Sequence, residues 1–186
     1  MKTAILLTSV LGLALLTIST VPAFAAVDMF LKIDGIPGES TDQAHKDQIE
    51  ILSWSWGASM PISSGSTGGS GAGKVQVSDL SFQKFADSTS PKILEKLFTG
   101  AHIPKVELSL SKLDGKGASA DFYKITLENV LVSSYNTGGS SGSDLPVESL
   151  SLNFQKITFE FKKLKSDGTL DTPVTFGWDI AANKKI

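Results

Sequence analysis

The sequence predicts a mainly β fold with one short helix, and three observations predict it. Seven runs carry period-2 alternation or short apolar stretches of strand length, the signature of half-buried strands. The turn dipeptides Asp34-Gly35, Asp114-Gly115 and Asp167-Gly168 follow several of these runs. A single segment, residues 90–100, switches to helical spacing. Strands at this density imply a sandwich or a closed barrel.

The first 25 residues read as an export leader. Lys2 supplies a positive start, and no charge occurs from Ala4 to Ile18. Pro22 then precedes Ala23-Phe24-Ala25, with small residues where a signal peptidase needs them. The apolar run is short of the roughly 20 residues that span a bilayer. With no Cys in the chain a lipid anchor on that residue is excluded. Cleavage is expected between Ala25 and Ala26, giving a leader, 1–25, and one folded domain, 26–186, with no stable membrane anchor after cleavage. The product is expected outside the cytoplasm, in the periplasm or the medium.

Val27, Met29, Leu31 and Ile33 alternate with Asp28 and Lys32, leaving Phe30 as an apolar residue on the polar face. Further strands are expected in "QIEILSWSWG" (48–57), "KVQVSDLSF" (74–82), "KVELSLSKL" (105–113), "DFYKITLENVLVSSY" (121–135), "ESLSLNFQKITFEFKK" (148–163) and "PVTFGWDI" (173–180). In "SPKILEKLFTG" Ser90 can cap, Pro91 suits the first turn and Gly100 the stop. Ile93, Leu94, Leu97 and Phe98 form its apolar stripe, so a helix over about 90–99 should lie on the sheet. Two Gly/Ser stretches, 63–73 and 137–143, carry no large apolar anchor and are expected as mobile loops.

Composition narrows the function. The formal net charge is −2 and there is no Arg, the side chain that grips phosphate and base edges as a fork, so nucleic acid is not an expected partner. Gly68–Lys74 fits the start of a phosphate-binding loop, but Val75 replaces the metal-binding hydroxyl and a strand follows. Gly138–Gly142 fits G-x-S-x-G, yet both histidines, His45 and His102, precede it. Asp34, Glu39, Asp42 and Asp47 share one loop without calcium-loop spacing, and two histidines without cysteine make a poor zinc set. No catalytic residue, metal or cofactor is expected. His45 reads as a hydrogen-bonding surface residue. Trp54, Trp56 and Trp178 could form a glycan platform, but Trp54 and Trp56 share a face with Leu52, as core residues do. Ser53 and Ser55 lie opposite, on a small polar face that could line something wet.

"AVDMFLKIDGIPGES", "HKDQIEILSWSWG", "GAGKVQVSDLSFQK", "SPKILEKLFTGAHIPKVELSL", "YKITLENVLVSSYNTGGS" and "VESLSLNFQKITFEF…GWDI" closely resemble the Hcp (haemolysin-coregulated protein) family, the tube protein of bacterial type VI secretion. The likeness spans nearly all of 26–186. It implies a non-enzymatic small β-barrel of two packed antiparallel sheets with a flanking helix. Six copies would form a ring, rings would stack into a tube, and small effector proteins would ride in the lumen beneath a spike protein. By the same resemblance Ser53 and Ser55 would face the lumen. Glu39, Ser40, Asp42, His45, Lys46 and Asp47 would belong to a loop reaching the next ring. The leader departs from the family pattern, because tube subunits normally assemble in the cytoplasm. Cleavage would nevertheless regenerate a family-like start at Ala26-Val27-Asp28-Met29-Phe30. The alternative is an exported Hcp-like module that binds a protein or glycan without a sheath.

Overall fold

The computed structural model describes residues 27–64, 70–72, 74–114 and 117–186. The expected leader and the Ala25–Ala26 junction lie outside them, as does Gly115 of one predicted turn. The first strands are β1 (Asp28–Ile33), β2 (Ile49–Glu50), β3 (Ser53–Ser55), β4 (Ala58–Ser59), β5 (Ile62–Ser64), β6 (Ser70–Ala72), β7 (Gln76–Val77) and β8 (Leu80–Phe85). Helix α1 (Ser90–Thr99) follows, then β9 (Ile103–Leu113), β10 (Ser119–Gly138), β11 (Val147–Phe161), β12 (Val174–Asp179) and β13 (Lys184–Lys185).

One nine-stranded antiparallel sheet runs β13-β12-β11-β10-β9-β1-β2, with β8 also on β11 and β3 on β8. The long β10 and β11 serve two layers. Residues 147–152 of β11 pair with β8, whereas 156–161 pair with β12. A register shift between Val132 and Ser134 marks the change along β10, where an extra residue bends a strand. The layers enclose one core, in which Leu31 and Ile33 meet Leu108, Leu127, Phe82 and Leu150.

The expected barrel is not closed. Ile51 N–H still reaches Met29 O, but the next amide, Leu52, turns to Gln83 O, so pairing passes from β1 to β8 through two residues that belong to neither strand. The inward phase slips there as well: Ile49 and Ile51 are buried, Leu52 is exposed, and Trp54 and Trp56 are the next to pack inward. Leu52 is therefore not the core residue its spacing with Trp54 implied.

Helix α1 covers the expected span, with corrections at both ends. Its N-cap is Thr89, and Ser90 is the first helical residue, its hydroxyl engaged by β8 and β11. Gly100 closes the helix in the left-handed region at φ 62°, its N–H on Leu97 O, as a C-terminal glycine does. Ile93 is fully buried, but Phe98, predicted in the same stripe, is 83% exposed. Positions 93 and 97 define the covered arc, and Phe98 turns past its edge. Neither Gly/Ser stretch is wholly a loop: β5 and β6 pair within 62–72, and β10 runs on to Gly138.

Candidate functional site

Alternation on four neighbouring strands builds a polar wall. Ser53 pairs with Gln83 and Ser55 with Ser81 across β3 and β8. Gln83 and Ser81 in turn face Ser149 and Ser151 of β11, which face Asn136 and Ser134 of β10. Since alternate residues share a face, the reverse side of these strands supplies Trp54, Phe82, Leu150 and Leu152 to the core. Cross-strand bonds tie the wall together: Ser53 Oγ to Gln83 Oε1 at 3.1 Å, Gln83 Nε2 to Ser149 Oγ at 3.2 Å, and Ser81 Oγ to Ser151 Oγ at 2.9 Å. These side chains line an open depression of about 280 Å³ in which no lining residue is charged. The predicted pair Ser53 and Ser55 is thus one edge of a larger surface; Ser81, Gln83, Ser149 and Ser151 carried the same alternation signal.

The loop between β1 and β2 is rigidly built. Gly38 N–H binds Asp47 O, Ser40 N–H binds Gln48 O, and Asp47 N–H returns to Ser40 O. Asp42 Oδ1 accepts the amides of Ala44 and His45. A Cβ at Gly38 would lie 2.3 Å from Gln48 O, so no other residue fits this close approach. Glu39, Lys46 and Asp47 are exposed and Asp42 is half-buried, but Ser40 is buried.

His45 is not a surface residue. It is 4% exposed, stacked on the Phe30 ring at 4.2 Å, and this explains how Phe30 is buried despite its position on the polar face of β1. His45 Nε2 lies 2.8 Å from Ser111 Oγ and 2.9 Å from Asp121 Oδ1, while Ser111 Oγ donates directly to Asp121. Ser, His and Asp meet here without forming a proton relay. A relay places nucleophile and carboxylate on opposite ring nitrogens, whereas both contacts share Nε2 and the buried Nδ1 has no partner. The cluster clasps the loop to β9 and β10.

A second polar cluster, absent from the sequence reading, fixes α1. Lys84 has no exposed surface, and its Nζ lies 2.6 Å from Asp87 Oδ1, 2.9 Å from Glu148 Oε2 and 3.0 Å from Ser90 Oγ. Tyr135 donates to Glu148 Oε1. Burial, followed by that bond and the Glu148 charge, pushes the Tyr135 phenol up to about 12. Burial tends to raise the Asp87 carboxyl, but hydrogen bonds from Lys84 and Thr89 outweigh it and hold Asp87 below its ordinary value. The signal was the phase of β8: Leu80, Phe82 and Lys84 alternate inward, and Lys84 faces Glu148 in register.

The remaining candidates are structural. Trp54 stacks on Tyr123 at 5.8 Å and Trp56 tilts on Phe159 at 4.9 Å, and both pack against the core. Lys74 leads into β7 and not into a helix. Ser140 sits before a turn into β11, its hydroxyl on Ser143, so Gly138–Gly142 makes no strand-to-helix elbow. Among the described residues no group of three His, Cys, Asp or Glu side chains could hold a metal ion.

The sequence profile described as "Type VI secretion system effector, Hcp" matches residues 30–161. The chain belongs to the Hcp family. It is 43% identical over 159 residues to "Protein hcp1" of Pseudomonas aeruginosa, a match covering 85% of this chain and 98% of that protein. The fold superposes on a solved "type six secretion system protein" with TM-score 0.80 and 32% identity, covering 87% of this chain and all of the other. It also resembles the crystal structure of Hcp1 from Salmonella typhimurium, with TM-score 0.70 and 33% identity over 87% of this chain and 99% of that one. The polar wall and the clasped loop are thus features of an Hcp domain.

Proposed function

We propose that residues 26–186 form a tube subunit of a type VI secretion-like apparatus. Six copies close into a ring with the Ser/Asn/Gln wall facing the lumen, and rings stack. The observation that carries this reading is the wall itself. A surface four strands wide, lined by Ser, Asn and Gln side chains and by no charged residue, favours passage of polypeptide cargo without holding it by charge. Small effector proteins are its cargo and a spike protein its cap. The exposed Glu39, Lys46 and Asp47 and the half-buried Asp42 belong to the face turned toward the next ring; Ser40 and His45 support that loop from inside. Weak surface ion pairs gain strength there by repetition around a symmetric ring.

The leader is removed between Ala25 and Ala26, and the domain acts outside the cytoplasm without a membrane anchor. The support is the charge-free stretch from Ala4 to Ile18 before Ala23-Phe24-Ala25. The test is the mass of the chain starting at Ala26, by light scattering, with negative-stain imaging of the same sample. Six-fold rings are expected. A monomer at every concentration overturns the tube reading.

A further inference from the structure

The bond at which the leader would be cut lies just ahead of a strand that the fold holds fast. Ala26 and Val27 alone separate Ala25 from Asp28, the first residue of β1. β1 runs inside the sheet, between β2 and β9, and every residue from Asp28 to Ile33 is in register with one of residues 106–111 of β9. Phe30 and Ile33 are buried, Leu31 fully so, and Phe30 is stacked on the His45 ring. Fraying of β1 therefore stops short of Phe30 unless core residues come out with it. The partner strand also arrives late. β9 follows α1 in the chain, so newly made β1 has no β9 to pair with until those residues emerge, and non-local pairing of this kind forms slowly.

We infer that the leader is removed while β1 is still unpaired, and that the domain folds only afterwards, outside the cytoplasm. This rests on the leader reading above and adds the order of its steps. The reaction is hydrolysis of the Ala25–Ala26 amide: water adds its hydroxyl to the Ala25 carbonyl carbon as the C–N bond breaks, and the Ala26 nitrogen takes the proton. A peptidase takes the chain around such a bond in extended form, and nicking concentrates where backbone is neither buried nor hydrogen-bonded. Two residues reach at most about 7 Å, whereas a folded domain of this length has a radius of gyration of about 15 Å. With the apolar stretch Ala4–Ile18 held in the bilayer, a folded domain would lie against the membrane and over the bond. Export of an already folded domain lacks its signal, because Lys2 is the one positive side chain in residues 1–25 and a paired arginine is absent from them. A copy that folds early therefore keeps its leader, and rings are built from copies that folded after crossing.

The test uses the full chain, 1–186, and purified signal peptidase in detergent, read by the mass of the product that starts at Ala26. Three substrates are compared: the folded precursor, the folded precursor with a short Gly/Ser insert between Val27 and Asp28, and the wild-type precursor diluted from urea straight into the assay. Cleavage of a folded chain tracks the fraction in which the site is open, so the folded wild type should be cut at least about a hundredfold more slowly than the other two. Equal rates for the folded wild type and the chain with the insert overturn the inference, since β1 would then be no barrier. An insert chain that stays uncut while the urea-diluted chain is cut overturns it too, because distance from β1 would not be what protects the bond. Both results leave the leader reading standing. If no substrate is cut between Ala25 and Ala26, the urea-diluted chain included, the leader reading falls first and takes the inference with it.

Discussion

Lys84 shows how one residue can decide the placement of an element. Its ammonium is fully buried between Asp87, Glu148 and Ser90, joining β8, β11 and the start of α1. Burying charge costs several kcal/mol per ion, and removing one partner leaves the others uncompensated. Lys84→Ala is therefore expected to cost about 3–5 kcal/mol, read as a lower urea midpoint at unchanged slope. A loss no larger than that of an exposed lysine such as Lys184→Ala would contradict it. Asp87 adds a pH signature. Its folded carboxyl lies below the ordinary value of 3.8, so its contribution is full above that value and fades as pH falls through the lower folded one. The stability difference between wild type and Asp87→Asn should be flat from neutral pH down to about 5 and shrink below about 4; a difference that grows on acidification would refute this. Both charges were legible in phase, since Lys84 and Glu148 fall on inward positions of two strands. His45 was not. Its burial depends on Phe30 and Asp121, which no spacing within its own loop connects to it.

At the scale of elements, alternation located the strands wherever one face is apolar and the other polar, as in β9 and β11. It missed β4, β5, β6 and β13, which are two or three residues long and take their pairing from a neighbour. It also missed the slip at Ile51–Leu52, because an irregular step between two partners leaves no periodic trace. In α1 the composition was right and the covered arc was narrower than the stripe. Ile93→Ala should cost about 2–5 kcal/mol, the range for a filled core position, while Phe98→Ala should stay within about 0.5 kcal/mol. Chemical unfolding of the two variants checks this in the chain from Ala26. Equal losses would mean that Phe98 is packed in solution, against its exposure in the monomer.

At the scale of the molecule, the monomer leaves apolar surface that a freely soluble domain would cover. Phe161 and Val174 are cross-strand partners, Phe176 stacks on Trp178 at 6.3 Å, and all three of Phe161, Val174 and Phe176 are exposed. A contiguous aromatic strip of this kind marks an interaction surface. Alternation marked the small polar positions strand by strand, but not that they form one wall, because its width comes from register between β3, β8, β11 and β10, which a linear reading does not contain. If copies cover the strip, assembly and folding are linked by mass action, and binding that favours the folded chain raises the melting temperature with concentration. For the chain from Ala26, Tm should rise over a hundredfold increase in protein concentration. Phe176→Ser with Val174→Ser should remove that dependence while leaving the dilute-limit Tm nearly unchanged, since both side chains are already exposed in the monomer. A wild-type Tm independent of concentration would show that the strip is not covered by another copy. A double variant that lowers Tm equally at all concentrations would place these side chains in the monomer's own packing.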